Sequence, residues 1–155
     1  MRLGARIVIT LLAVLAVGVI GFWYWNSPER RIRAVLSDSE AAVEAEDLDR
    51  VMSHISLQYR DDQGLAYLPL KRLMKMAFDQ FEGLDVRLSD IRIDIKKDQA
   101  LVQADLEVLV VQQHEKAYLM GSREQPLPIR ISLANQTLKW KILSVNGIRL
   151  PFTDF

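Results

Sequence analysis

Residues 86–111 read VRLSDIRIDIKKDQALVQADLEVLVV and predict two long β-strands joined at Lys97-Asp98. Side chains on a strand point alternately to the two faces of a sheet, so alternation of apolar and polar residues predicts one covered face and one wet face. The second strand alternates in this way. Its inward set is predicted to be Ala100, Val102, Ala104, Leu106, Val108 and Val110. Because a lone hairpin is marginal in water, further strands and covering helices must come from the rest of the chain.

The first strand changes face part of the way along. Val86 and Leu88 share one parity, whereas the three isoleucines at 91, 93 and 95 share the other. One extra residue in a strand produces such a switch, so we expect a β-bulge at Ser89-Asp90.

Three helices are predicted before this hairpin. Ser27 and Pro28 are typical of a helix start, and Asp47 of the start of a second, short helix. The third helix is expected to begin at Pro69 and to end at Gly83 in a left-handed conformation. Its apolar positions recur at helical spacing and are Leu70, Leu73, Met74, Ala77, Phe78 and Phe81.

The remaining strands are shorter. Alternation predicts strands at 57–59, at 127–133 and at 138–142, and a loop over 115–124. The fold class is therefore α+β, with three helices packed on a curved, mainly antiparallel sheet in one domain over residues 27–155.

Residues 1–26 are predicted to be a short tail and a membrane anchor. Residues 7–25 carry no charge and end in Trp23, Tyr24 and Trp25, which is typical of an interfacial aromatic belt. A cleaved signal peptide with its cut near 16–18 and a buried core helix are the alternatives. The short tail favours a single-pass protein of a bacterial inner membrane, with a periplasmic or extracellular domain.

Charge and composition exclude several classes of function. Basic and acidic residues number 20 each, and only Arg2 and Arg6 are charged within residues 1–26, so residues 27–155 carry 18 basic and 20 acidic groups and a net charge of −2. This balance does not favour a nucleic-acid partner. The absence of cysteine excludes disulfides and thiolate chemistry. The wet face of the sheet is predicted to be a charge ladder and thus a poor obligate dimer interface, so we expect a monomer or weak dimer. Its acidic residues are Asp105 and Glu107, and its basic ones are Arg87, Arg92 and Arg130.

The order of these elements resembles that of the nuclear transport factor 2-like superfamily. Three short motifs add to the resemblance, which covers about residues 28–148: Glu46-Asp47-Leu48-Asp49, Tyr59-Arg60-Asp61 and Lys139-Trp140-Lys141-Ile142. The resemblance implies a cone-shaped α+β fold with a pocket between helices and sheet. We expect this pocket to be lined by Tyr59, Phe78, Phe81 and Trp140.

Enzymes of this superfamily use a pocket carboxylate as general base, and the resemblance places Asp61 and Asp62 at that position as weak catalytic candidates. A tyrosine on the first helix is their usual helper. Here the corresponding face of that helix carries Ile32, Val35, Leu36 and Ser39 instead. No spacing of His54 and His114 indicates a metal site, and no motif indicates a cofactor.

Two functions remain open at this stage. The first is a non-enzymatic binding or scaffolding module in a cell-envelope assembly, held at the membrane by residues 7–25 and contacting an envelope protein. The second is a protein that binds a small apolar ligand, or an isomerase or dehydratase that uses a pocket Asp as base.

Overall fold

The computed structural model describes residues 2–25 and 27–148, with side chains described for residues 10–21 and 27–148. Four helices precede the sheet: α1 (Arg2–Trp25), α2 (Pro28–Glu44), α3 (Leu48–Ser53) and α4 (Tyr67–Gln80). The predicted caps are confirmed. Ser27 Oγ accepts the Arg30 N–H at 3.4 Å, and Asp47 Oδ1 accepts the Arg50 N–H at 3.0 Å. Each oxygen thereby binds a backbone N–H group of the first helical turn, which has no partner within the helix.

Five strands form one antiparallel sheet: β1 (Gly83–Lys96), β2 (Gln99–Gln112), β3 (Glu115–Met120), β4 (Leu127–Gln136) and β5 (Lys139–Asn146). The main order is β1-β2-β4-β5. β2 pairs with β1 along one edge, whereas its other edge is shared by β4 and then β3. β2 is therefore the central strand.

The core lies between the inner face of this sheet and the helices. The predicted inward set of β2 is confirmed, since every second residue from Ala100 to Val110 is buried. α2 supplies the opposite wall through Ile32 and Leu36, which are among the most deeply buried side chains of the described residues. The α+β fold, with helices on a mainly antiparallel sheet, follows from this packing.

The predicted bulge in β1 is confirmed. The register shifts between Ser89 and Arg92, and Asp90 adopts a positive φ of 48°. The extra residue turns Ile93 and Ile95 to the inner face, where they lie opposite Val102 and Ala100.

Two strand predictions were wrong. Residues 57–59 form a turn in which Ser56 Oγ accepts the Gln58 N–H at 3.1 Å, because three alternating residues are too short a pattern to distinguish the two structures. The predicted loop over 115–124 contains β3, which pairs with the last residues of β2. All but the last residue of β3 are exposed. The strand therefore has no buried face, and its sequence has no alternation of apolar and polar residues from which to predict it.

The ends of α4 also differ from prediction. The helix begins at Tyr67 and ends at Gln80, after which Phe81 is extended. Gly83 is the first residue of β1 and lies opposite Val111, so it belongs to the strand ladder rather than to a left-handed helix end.

The predicted anchor lies within α1, a helix of 24 residues. Among the residues that the structure describes, no helix is both long enough and apolar enough to cross a membrane. Residues 7–9 and 22–25 of the predicted anchor, including its aromatic end, lie outside the residues whose side chains are described.

α2 also binds the backbone of β1 at the outer edge of the sheet. Glu40 Oε1 accepts the Leu88 N–H at 2.6 Å, and Arg33 Nη2 donates to the Ile91 carbonyl at 3.5 Å. The two side chains bind β1 on either side of its bulge. Burial raises the pKa of the Glu40 carboxyl, and the Leu88 N–H acts in the opposite direction.

We predict that Glu40→Ala destabilises the domain by about 1–3 kcal/mol, because the Leu88 N–H loses its acceptor, whereas Glu40→Gln keeps an acceptor and costs less. The raised pKa means that Glu40 favours the folded state most when it is protonated. That contribution is lost as the pH rises above the ordinary glutamate pKa of 4.5, so Glu40→Gln should gain stability relative to the unaltered protein above that pH.

Urea unfolding, followed by circular dichroism at about pH 4 and at about pH 7, measures these differences in the free energy of unfolding. Glu44→Gln, at an exposed position of the same helix, is the control. Equal stabilities of the Ala and Gln variants would contradict the assignment.

Candidate functional site

The four predicted pocket residues belong to or pack against one hydrophobic core between the helices and the sheet. Tyr59 and Trp140 are each 4% exposed, and Phe78 and Phe81 are half-buried against the same core. All four aromatic side chains therefore take part in the packing of the core. That they line a ligand site stays a prediction.

Tyr59 is the buried titratable group at this position. Burial raises its pKa to about 12, the neighbouring Asp61 carboxylate adds to the rise, and a backbone hydrogen bond from Val145 opposes it. The phenol is consequently neutral at physiological pH. It can donate a hydrogen bond, but it is not a base.

The two candidate carboxylates lie in the turn after Tyr59. Asp61 Oδ1 accepts the N–H groups of Gln63 and Leu65 at 3.0 and 2.8 Å, which is the geometry of a side chain that stabilises its own turn. Asp62 is exposed, and its backbone N–H donates to Asn146 Oδ1 at 3.0 Å. The Asp61 carboxylate therefore stabilises the turn that follows Tyr59.

The inner face of the sheet carries one polar pair, of which only Trp140 was predicted from the sequence to line the pocket. Asn135 and Trp140 lie opposite each other on β4 and β5. Among the described residues, Asn135 Oδ1 and Trp140 Nε1 are buried and have no hydrogen-bond partner. A buried acceptor and a buried donor without partners are costly, and a molecule that offers both a donor and an acceptor would satisfy them. The parity of Asn135 with Ile129 and Ile131 was the sequence signal for its inward position.

Charged side chains join α2 to α3. Asp38 forms an ion pair with Arg50, and its Oδ2 lies 2.5 Å from His54 Nε2. The hydrogen bond from Arg50, followed by that from His54, lowers the Asp38 pKa to about 2. These residues come from two elements and a helix end, so no local spacing revealed the cluster.

His114 is far from this cluster. Its backbone N–H donates to a Glu82 carboxylate oxygen at 3.2 Å in the β2–β3 turn. Within the described side chains, no group of three or more His, Asp or Glu could hold a metal ion.

A groove of about 440 Å³ lies on the outer face of the sheet, beside the bulge of β1. Strand register places Arg92, Gln103 and Arg130 in one row across it. Asp90 and Asp105 also line it. Of the ion pairs formed by described residues, none includes Arg92 or Arg130, so both guanidinium groups are available to a partner.

The predicted charge ladder is present in register but not as cross-strand ion pairs. Glu107 lies opposite Arg87, whereas Asp105 lies opposite Ser89 and Pro128. Arg87 instead pairs with Asp85 of its own strand at 2.7 Å. The face is charged, as expected.

Comparison with known proteins gives the fold but no close relative. No protein-family model matches the sequence, and no curated protein matches it. Three solved structures illustrate the likeness. A candidate scytalone dehydratase from Novosphingobium aromaticivorans is 12% identical, with a TM-score of 0.66 over 79% of this chain and 88% of its own. A nuclear transport factor 2-like protein with a cystatin-like fold, from the same organism, is 9% identical, with a TM-score of 0.65 over 89% and 92%.

The third structure is a candidate dehydratase of the nuclear transport factor 2-like family from Streptomyces avermitilis. It is 12% identical and gives a TM-score of 0.62 over 77% of this chain and 96% of its own. At these identities the likeness concerns the fold alone. The chain therefore has the α+β fold of nuclear transport factor 2-like proteins, with its helices packed on the inner face of the sheet.

Proposed function

We propose that this chain is a membrane-anchored, non-enzymatic binding or scaffolding module of a cell-envelope assembly, with its domain outside the cytoplasm. The observation that carries the proposal is the row of large apolar side chains between Leu11 and Ile20 of α1, which are exposed. Fold alone does not assign function.

The anchor is supported by the sequence of residues 7–25, which carry no charge. As a helix this run extends roughly 28 Å, and a hydrocarbon core is about 30 Å thick. Seven large apolar side chains between Leu11 and Ile20 are 50–71% exposed. A helix that is apolar on all sides needs an apolar surrounding, which a bilayer provides.

The absence of catalysis is supported by the state of the candidate residues. Asp61 is bonded to two N–H groups of its own turn, and Tyr59 is a neutral phenol. The inner face of α2 presents Ile32 and Leu36 to the core, and the Ser39 hydroxyl on that face donates to the Val35 carbonyl of its own helix at 2.7 Å. General acid–base catalysis needs such groups within hydrogen-bond reach of a substrate.

The outer groove is the surface that we assign to a protein partner. It presents two guanidinium groups and two carboxylates around Gln103, and a peptide with charges of both signs would complement it. Anchoring confines this surface to the membrane and raises its effective concentration towards other envelope proteins.

A second function is favoured by the Asn135–Trp140 pair. Its unpartnered donor and acceptor suit a small, mainly apolar ligand with one polar group, and two of the fold neighbours are described as candidate dehydratases. In this alternative, Asp61 or Asp62 acts on the bound molecule as a base.

We predict that Asp61→Ala destabilises the full chain by about 1 kcal/mol, because two backbone N–H groups lose their acceptor, and that Asp61→Asn retains most of the stability. Asp62→Ala is the control and should be neutral, since the contact of that residue is made by its backbone. Thermal unfolding measures all three. Unchanged stability of Asp61→Ala would contradict the structural task and favour the catalytic alternative.

We expect the full chain to stay with membranes after alkaline carbonate extraction. Replacing Leu12 and Leu15 together by Arg should release it, since each charge near the helix centre costs about 2.5–3.5 kcal/mol of insertion free energy. Leu57→Arg, at an exposed position of the domain, should remain bound. Release of the unaltered chain by carbonate would overturn the anchor.

A photoreactive amino acid at Gln103 should form a specific protein adduct in native membranes, because this residue lies in the outer groove. The same group at Asp79, on the exposed side of α4, is the matched control. Equal adducts at the two positions would contradict the assignment of the groove. A small molecule retained by the full chain in native mass spectrometry, with no protein adduct, would favour the ligand alternative.

A further inference from the structure

The start of α2 is tied to the end of α1 by chain length alone. Only Asn26 and Ser27 separate Trp25 from Pro28, and three peptide steps reach roughly 11 Å. If α1 is the anchor of the proposed function, on which this inference rests, the first turn of α2 must lie at the membrane surface.

Two hydrogen bonds identify the parts of the domain that lie next to the first turn of α2. Arg31 Nη2, in the first turn of α2, donates to the Leu138 carbonyl in the β4–β5 turn. The Asn135 N–H donates to the Asp98 carbonyl at 2.8 Å, which joins the β1–β2 turn to the same place. Both hairpin turns therefore lie beside the start of α2.

The β4–β5 turn carries an unusual residue at its tip. Thr137 and Leu138 have φ angles of 51° and 66°, the left-handed conformations of a two-residue hairpin turn in which Asn and Gly are preferred. β-Branched and bulky residues are outliers there. Leu138 is also 79% exposed, so nothing in the described domain covers it. An exposed leucine held on a strained turn indicates a contact outside the domain.

Basic side chains lie at the two hairpin turns of this end. Lys96, Lys97 and Lys139 are exposed in the two turns. Two carboxylates are close to them in sequence, and one of these, Asp94, lies 3.7 Å from Lys96. The first turn of α2 adds Glu29, Arg30 and Arg31, so this end of the domain carries five cations and three carboxylates. Anionic headgroups attract such clusters by about 1 kcal/mol per basic residue.

We propose that this end of the domain, formed by the start of α2 and the β1–β2 and β4–β5 turns, lies on an anionic lipid surface. Leu138 enters the headgroup boundary, and Lys97 and Lys139 contact lipid phosphates. The domain is thereby held in one orientation relative to the membrane.

Fluorescence quenching tests the contact in the full chain. The chain has no cysteine, so Leu138→Cys provides a single labelling site for an environment-sensitive dye. The labelled protein is reconstituted in vesicles of equal parts phosphatidylcholine and phosphatidylglycerol that contain lipids spin-labelled near the headgroup. We expect quenching several-fold stronger than for Leu68→Cys.

Leu68 is a matched control because it is also an exposed leucine but lies at the other end of the domain. It follows the turn at Asp62, whose N–H binds Asn146 at the far end of β5. Equal quenching at the two positions, or none at position 138, would overturn the proposal.

Charge reversal tests the lysines. Lys97→Glu and Lys139→Glu should each weaken docking by roughly fivefold or more, as read from the quenching of the dye at position 138, and high salt should have the same effect. Lys116→Glu, exposed on β3 at the opposite end of the sheet, should leave the quenching unchanged. Quenching that is equally insensitive to all three changes would exclude headgroup contact by these lysines.

Flotation of the same vesicles separates this inference from the anchor. A chain that floats at alkaline pH but shows no quenching at position 138 keeps its anchor and disproves the docking. A chain that does not float disproves the anchor and the docking together.

Discussion

Hydrogen bonding to β2 is the constraint on which the rest of the sheet depends. Three of the other four described strands pair directly with it, and its buried side chains belong to the same core as those of α2. A shift of β2 by one residue would expose Val102 and bury Gln103. The apolar contacts between the inner face of the sheet and α2 would then be lost. Gly121, where the chain passes from β3 to β4, reflects the same constraint: a Cβ there would collide with the Leu106 carbonyl oxygen of β2.

Features encoded by neighbouring residues were predictable from the sequence. The alternation of β2, the bulge at Ser89-Asp90 and the caps at Ser27 and Asp47 each depend on a few adjacent residues and on one physical preference. β3 was missed because its side chains are exposed and carry no alternation, so its strand conformation depends on the free edge of β2.

In the candidate site, too, the features encoded locally were predictable and the contacts between distant residues were not. Burial of Tyr59 and Trp140 follows from aromatic residues on an apolar face. The Asp38–His54 contact and the bond from Glu40 to β1 join residues that are 16 and 48 positions apart. No periodicity reports such pairs, since they depend on how the helices are placed on the sheet.

The outer strands of the sheet have a consequence for how copies of this domain meet. Unpaired strand edges invite other strands to add, and this hazard grows where proteins are concentrated on a surface. Here α2 side chains bind the outer edge of β1, and residues 54–60 cover β5 through backbone bonds to Ile142 and Leu143. Among the described strands, β3 keeps a short edge, and it carries Glu115 and Lys116. Neighbouring copies can therefore crowd together without joining their sheets into a continuous aggregate, and assembly is left to side-chain surfaces, where sequence can control it.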